Sequence, residues 1–133
     1  MTSRFSLFFQ SRVQSFRYAF AGLWYVLRTQ RNAWIHAVAS LLVVLVCVWL
    51  DLPRQEWALI VLAIALVWTA EFLNTALEVV VDLASQHAQH ELARVSKDVG
   101  AAAVLIAAAS SVVIGLLVLG PPLWARLQML ATR

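Results

Sequence analysis

Three long apolar segments divide the chain, and each is long enough to cross a membrane as a helix. They cover residues 33–50, 57–83 and 99–119, and the first is interrupted only by His36 and Ser40. About 20 apolar residues in a helix span the hydrocarbon core of a bilayer, which is ~30 Å thick. The pattern therefore predicts three transmembrane helices over these ranges.

Polar or helix-breaking residues separate the predicted spans. Residues 51–56 form a short polar turn that contains a proline. Gly120-Pro121-Pro122 is expected to end the third span, since proline cannot donate a backbone hydrogen bond. Residues 84–94 are the most polar stretch and contain His87 and His90. A soft-metal site would need more ligands than two histidines, so a hydrated loop is the preferred interpretation.

The first part of the chain has the pattern of an amphipathic helix. Residues 4–31 contain five arginines and no acid. Arg12 and Arg17 flank an apolar stripe, where long side chains can extend to lipid headgroups. The pattern predicts a helix on the membrane surface over 4–31, and the alternative is a soluble amphipathic helix packed on a core. The stripe consists of Val13, Phe16, Phe20, Leu23, Trp24 and Leu27.

The composition indicates an integral membrane protein. Of the 133 residues, 62% are hydrophobic and 13% are charged, whereas soluble domains have about 25% charged residues. The length allows one domain, so residues 1–133 are predicted to form a single all-α membrane domain. The net charge is +3, but no ladder of aromatic and basic residues is present. We therefore expect contacts with anionic lipid headgroups and no nucleic-acid partner.

The distribution of lysine and arginine predicts the orientation. Besides the five N-terminal arginines, Arg94 and Lys97 precede the third span. Only Arg54, Arg126 and Arg133 lie on the other side. Because basic residues favour the cytoplasmic side, we expect the N-terminus and residues 84–98 to face the cytoplasm of a cell inner membrane.

Four polar side chains share one face of the second span, and we call them the polar stripe: Glu71, Asn74, Glu78 and Asp82. Their steps of three, four and four residues place them within roughly 80° around a helix. A carboxylate inside a membrane costs several kcal/mol unless it is paired, hydrated or bound to a cation, so such residues are functional candidates. The alternative is that the acids cap the hydrated end of the helix. Asp82 fits this alternative best and Glu71 worst, because Glu71 lies deepest.

The acids of the chain are concentrated near this stripe. Residues 71–98 contain five of the seven acids together with Lys97. Carboxylate oxygens without cysteine favour a hard cation such as Mg²⁺. The chain has no standard phosphate-binding glycine motif, so a nucleotide site would be of another kind.

Small residues in the third span recur every four positions, at Ala103, Ala107, Ser111 and Gly115. Such spacing allows membrane helices to approach closely, although ordinary filler is the alternative. Three spans of this size make a thin core, so we expect self-association.

Two motifs at this separation resemble those of a known family. Residues 71–82 read Glu-Phe-Leu-Asn-Thr-Ala-Leu-Glu-Val-Val-Val-Asp, residues 92–98 read Leu-Ala-Arg-Val-Ser-Lys-Asp, and an alanine-rich stretch follows at 100–106. This closely resembles the small integral-membrane bacterial diacylglycerol kinases, whose signature is Glu-x-x-Asn-(Ser/Thr)-Ala-x-Glu-x-x-x-Asp, then Ala-Lys-Asp and an alanine-rich helix. The likeness covers roughly residues 12–118.

The resemblance implies a homotrimer of three-span subunits, each with an amphipathic surface helix. It also implies transfer of the ATP γ-phosphate to the hydroxyl of a membrane lipid at the cytoplasmic interface. Glu71 would be the general base that takes the proton of the lipid hydroxyl. Glu78 would hold Mg²⁺, and Asn74 would bond to nearby oxygens.

On the nucleotide side, the resemblance implies that Lys97 neutralises phosphate charge. Asp98 would position the nucleotide or the lysine, and Asp82 would bind near the nucleotide. The family usually has a metal-binding glutamate where this chain has Gln30. A neutral amide is a weaker Mg²⁺ ligand, so we expect weaker metal affinity or a second ligand from elsewhere, with loss of activity as an alternative. Trp34 replaces a commonly basic residue.

The acceptor and the function class remain open at this point. Residues 15–22 and 31–36 look more like the undecaprenol kinase branch, which tends to have Arg-Asn-x-x-Ile-His, yet diacylglycerol also presents a hydroxyl. A small transporter or proton carrier with the same acidic face is an alternative, as is a non-catalytic relative. Lys97-Asp98 favours the kinase, because a transporter needs no phosphate-neutralising lysine there.

Overall fold

The computed structural model describes residues 4–86 and 90–132, with backbone only for residues 4–11. Four helices follow one another, namely α1 (Arg4–Thr29), α2 (Arg31–Leu50), α3 (Arg54–Ser85) and α4 (Glu91–Ala131). Helices α2, α3 and α4 are each long and apolar enough to cross a membrane, which confirms the predicted number of spans. The predicted loop position His87 lies outside the described residues.

Helices α1 and α2 are separate helices that join at a single residue. Gln30 has an extended backbone (φ −101°, ψ 117°), and its N–H donates to the carbonyl oxygen of Val26 at 2.9 Å. Val26 is buried, but the predicted apolar stripe of α1 is largely exposed, for example Phe16 at 67% and Phe20 at 68%. The rest of this chain therefore does not cover the stripe. That α1 lies on the surface of a membrane stays a prediction.

A left-handed residue forms the turn between α2 and α3. Asp51 (φ 52°, ψ 53°) ends α2, and the N–H of Leu52 donates to the carbonyl oxygen of Cys47 at 3.3 Å. This backbone pattern is a common helix ending, in which the flanking apolar residues also touch. Leu52 and Cys47 accordingly belong to one buried cluster with Ile60 and Val118.

Helices α2 and α3 run antiparallel and are linked at three levels. Gln30 bonds Glu78, His36 approaches Glu71, and Trp68 Nε1 donates to Ser40 Oγ at 3.2 Å. As the residue number increases from 30 to 40, the number of the contacted residue on α3 decreases from 78 to 68. The register of the two helices is therefore set by polar contacts.

Helix α4 packs mainly on α3. Ser111 Oγ donates to the carbonyl oxygen of Ala63 at 2.9 Å, and Ala107 is buried, so two members of the predicted small-residue seam lie in this contact. Ala103 is exposed, and Val104 takes the buried position beside it. The seam prediction is therefore confirmed only in part.

The prediction that Gly120-Pro121-Pro122 ends the third helix was wrong. Helix α4 continues through Pro121 and Pro122 to Ala131. The two prolines remove backbone donors, but neighbouring contacts can compensate for such losses in membrane helices. The guanidinium of Arg126 lies 5.8 Å from the ring centroid of Trp49, which ties the final part of α4 to the end of α2.

The long helices extend beyond the predicted spans. Helix α3 has 32 residues and α4 has 41, so at 1.5 Å per residue they measure about 48 Å and about 62 Å. Both exceed a hydrocarbon core of about 30 Å. The end of α1, the end of α3 and the start of α4 lie at the same end of the molecule, where the polar contacts described next are found.

Candidate active site

The polar stripe continues the face by which α3 packs on the rest of the chain. The buried residues of α3 are Ile60, Ala63, Val67, Glu71 and Thr75. Glu78 and Asp82 follow at the same helical spacing and are partly buried. Glu71 therefore faces protein, and exposure increases along the stripe towards Asp82, whose side chain is 38% exposed.

Glu71 is the deepest member and is almost completely enclosed, with 1% of its surface exposed. Thr75 Oγ1 donates to the backbone carbonyl oxygen of Glu71 at 2.9 Å. The Thr75 hydroxyl therefore bonds the Glu71 backbone and not its carboxylate. Among the described residues, Glu71 Oε2 has no hydrogen-bond partner. His36 Nε2 lies 3.8 Å from it and is also unpartnered.

Glu78 lies two helical turns beyond Glu71 and binds two amides. Asn74 Nδ2 donates to Glu78 Oε1 at 2.9 Å, and Gln30 Nε2 donates to Glu78 Oε2 at 3.2 Å. Asn74 Oδ1 is buried without a partner in the described part of the chain. Gly100 of α4 lies against this oxygen, because a Cβ at that position would clash with it. The structure thus brings together Gln30 and Glu78, the two residues for which the resemblance implies a metal role, and that role stays a prediction.

Lys97 and Asp82 form the outermost contact of the site. Lys97 Nζ donates to Asp82 Oδ1 at 2.5 Å and links α4 to α3, while both side chains remain about 40% exposed (40% and 38%). Asp98 does not join them, since it lies one helical step away and is 68% exposed. Its Oδ2 is 3.7 Å from Arg94 Nη1 instead. The structure therefore places Gln30 and Asn74 against Glu78, and Lys97 against Asp82, as separate contacts along α3, while Glu71 lies deeper and Asp98 lies outside them.

Comparison with known proteins identifies the family. The family model for prokaryotic diacylglycerol kinase matches residues 17–119 of the chain. The chain belongs to the prokaryotic diacylglycerol kinase family. The resemblance on which the sequence prediction rested is thereby confirmed.

Individual relatives of this kinase family are named for two lipid acceptors. A Synechocystis protein named diacylglycerol kinase is 46% identical over 82% of this chain and 62% of its own length. A Bacillus subtilis protein named undecaprenol kinase is 40% identical over 83% of this chain and 89% of its own. Diacylglycerol kinase of Escherichia coli K12 is 42% identical over 58% of this chain and 68% of its own. The family and these names indicate a lipid kinase, and they do not favour a transporter.

A diacylglycerol kinase uses ATP as the phosphate donor, and the site has suitable groups for its metal. Among the described residues, no group of three histidine, cysteine or acidic side chains could hold a metal ion. Glu78 nevertheless lies between the amides of Asn74 and Gln30, and turning either amide would present an oxygen in place of its nitrogen. One carboxylate and two amide oxygens are hard donors of the kind that Mg²⁺ accepts when phosphates and water complete its shell.

Sequence reasoning missed the role of His36 in this arrangement. His36 was noted as one of two polar residues in an apolar span, and both residues prove to contact α3. A polar residue within an otherwise apolar span often contacts another helix, so this pattern could have predicted both contacts. The partner on α3 could not be read from the sequence, because it depends on the register of the two helices.

Proposed function

We propose that the chain transfers the γ-phosphate of ATP to the hydroxyl of a membrane lipid at the cytoplasmic interface. The observation that supports it most is the position of Glu71, a buried carboxylate with an unpartnered oxygen, two turns from Glu78. At 1.5 Å per residue, the seven residues between them correspond to about 10 Å along the helix. A lipid hydroxyl can thus enter beside Glu71 while the phosphates lie towards Glu78.

In this mechanism Glu71 is the general base. Its carboxylate accepts the proton of the lipid hydroxyl while the lipid oxygen attacks the γ-phosphorus, and the bond to the ADP oxygen breaks. Lys97 offsets the phosphate charge, with Asp82 holding its ammonium in place. Such a division of roles suits phosphoryl transfer, which depends mainly on positioning and charge neutralisation.

Glu78, with oxygens of Asn74 and Gln30, would hold Mg²⁺ beside the phosphates. The ion, when bound, supplies positive charge to the phosphate oxygens. Asp98 would act from the rim of the site, on the nucleotide or through Arg94, to which it is paired.

A lipid acceptor is also supported by a cavity that His36, the neighbour of the proposed base, helps to line. The cavity has a volume of about 410 Å³, is partly open, and is lined mainly by apolar residues of α2, α3 and α4. His36 and Ser40 line it on α2, and Leu123 lines it on α4. An apolar tail placed there would have its hydroxyl near Glu71.

The assembly we propose is a homotrimer in the cell inner membrane, with residues 84–98 and α1 at the cytoplasmic face. Each span buries only a small part of its residues within one chain, and the seven basic residues at the proposed inner end outnumber the three at the other. α1, with its apolar stripe uncovered by the chain, would lie on the membrane surface.

Undecaprenol is the acceptor that we propose first, with diacylglycerol as the second candidate. The relative named undecaprenol kinase matches over most of both chains, while two other relatives are named for diacylglycerol. The test is transfer of radiolabelled phosphate from ATP to each lipid, side by side, in mixed micelles. Label in undecaprenyl phosphate at a rate well above that for diacylglycerol supports the first choice, the reverse supports the second, and label in neither lipid contradicts the proposed function.

A further inference from the structure

We propose that His36 is the group to which Glu71 passes the proton that it takes from the lipid. This inference rests on the proposed function, and it assigns a role to a residue of α2 outside the polar stripe. His36 acts through Glu71, so it is a positioning and proton-holding residue for the reaction.

The two groups face each other without other partners. Glu71 Oε2 and His36 Nε2 are 3.8 Å apart, and each is a buried atom with no hydrogen bond within the described chain. A buried polar atom left unpaired destabilises the folded protein. Catalytic hydrogen bonds are often long before substrate binds and tighten afterwards. The separation is therefore that of a pair poised to form a bond when the lipid arrives.

Burial gives this contact a chemical consequence. Only 2% of the Glu71 side chain is exposed, against 14% for His36. A proton taken up by Glu71 has no direct route to water, and the enzyme must release that proton before the next turnover. Within the described residues, His36 is the titratable group placed closest to the Glu71 carboxylate, and it lies in the second turn of α2, near the proposed cytoplasmic end.

The helix register holds the pair in place from both sides. Trp68 and Ser40 bond one turn deeper, and Gln30 and Glu78 bond towards the cytoplasmic end. Since these contacts join the same two helices in the same antiparallel register, neither helix can slide without breaking them. The His36–Glu71 separation is thus fixed by contacts that do not involve either residue.

Among the residues that the structure describes, the groups around the pair point to His36 as the proton acceptor. Glu78 lies two turns away on α3 and binds two amides. The α4 residues that share the neighbouring cavity include Ala108, Ser111 and Val112, none of which titrates. On α1, Arg28 lies over the ring of Trp24, 4.9 Å from its centroid. His36 is the remaining acceptor on the face that α2 turns towards Glu71.

The proton balance is complete without another reactant. The hydroxyl proton leaves the lipid oxygen for the Glu71 carboxylate as the new phosphorus–oxygen bond forms and ADP departs. Glu71 Oε2 then gives the proton to the lone pair of neutral His36 Nε2. The imidazolium releases it to solvent, and both groups return to their starting states.

The test compares His36→Gln and His36→Ala with wild-type enzyme whose lipid phosphorylation has been established. Glutamine can keep a polar contact with Glu71 but cannot take a proton. We expect kcat to fall about a hundredfold in both variants, within the usual range for lost acid–base catalysis, with the KM for lipid and ATP little changed. Added imidazole should restore turnover to His36→Ala, whereas pyrazole, which has the same shape and is barely basic, should not.

His90→Gln is the matched control, because it makes the same substitution at an exposed histidine whose side chain does not cap α4. It should retain near wild-type kcat. Wild-type kcat in His36→Gln would overturn the role of His36. Equal rescue of His36→Ala by imidazole and pyrazole would also overturn it, because both molecules would then act only by filling the space of the lost ring. An inactive wild-type enzyme would instead contradict the proposed function itself.

Discussion

At the scale of single residues, the most informative departure from the family pattern is Gln30, which contacts Glu78 and replaces the glutamate usual in the family. Gln30 Nε2 donates to Glu78 Oε2 at 3.2 Å, so a neutral amide donates a hydrogen bond to the carboxylate. A second carboxylate at this position would repel the first unless a cation lay between them. The amide therefore contacts Glu78 without the charge repulsion that a glutamate at this position would bring.

Replacing this amide should strengthen metal binding. We expect Gln30→Glu to lower the Mg²⁺ concentration for half-maximal turnover about tenfold, because more ligand charge raises affinity for a hard divalent cation. A Mg²⁺ titration of lipid phosphorylation measures the change. Gln55→Glu adds the same charge at an exposed position near the other end of α3 and should leave the titration unchanged. Identical curves for Gln30→Glu and wild type would remove Gln30 from the metal site.

At the scale of helices, the approach of α4 to α3 positions the amide that binds Glu78. Gly100 lies where a Cβ would collide with Asn74 Oδ1 and come within 3.2 Å of Leu77 Cδ2. Asn74 in turn donates to Glu78 Oε1 at 2.9 Å. The absence of a side chain at one position of α4 therefore shapes the site on α3.

A methyl group at Gly100 should consequently impair catalysis. We expect Gly100→Ala to lower kcat about tenfold by displacing the Asn74 side chain, with overpacking destabilising the protein by about 1–3 kcal/mol. Gly120→Ala is the control on the same helix, since a Cβ there meets no atom within 4 Å. Turnover assays and thermal unfolding in detergent separate the two effects. Equal turnover of the two variants would show that Asn74 need not hold its position.

The helices also mark the limits of what the sequence could predict. Hydrophobic segments predicted the three spans, and the four-residue spacing of Glu71, Asn74, Glu78 and Asp82 predicted their common face. The end of α4 was predicted wrongly, because local rules treat Pro121 and Pro122 as stops while the contact of Arg126 with Trp49 is made across helices. Pairings such as His36 with Glu71 depend on helix register, which no local pattern specifies.

At the scale of the whole molecule, one chain leaves most of its apolar surface uncovered. Exposed large side chains occur along every helix, including Phe20 on α1, Leu62 on α3 and Leu105 on α4. Lipid can cover part of this surface. The outer site contact, between Lys97 and Asp82, is also open on one side, with about 40% of each side chain exposed. A neighbouring subunit could complete the site there.

We therefore expect a trimer to be the active form. Native mass spectrometry of the protein released from detergent micelles should give three times the mass of one chain, 14.8 kDa. Dilution in detergent that yields monomers should abolish lipid phosphorylation. Full specific activity in a monomeric fraction would contradict the trimer.

The whole account depends on Glu71 as the base that activates the lipid hydroxyl. The most direct measurement is kcat for lipid phosphorylation by Glu71→Gln, compared with Glu56→Gln. Glu56 also has a buried carboxylate oxygen without a partner in the described chain, but it lies in the first turn of α3 at the far end from the site. We predict that Glu71→Gln loses kcat by about 10²–10⁴-fold while it still binds ATP, and that Glu56→Gln retains wild-type turnover. A Glu71→Gln enzyme as fast as wild type would contradict the proposed mechanism.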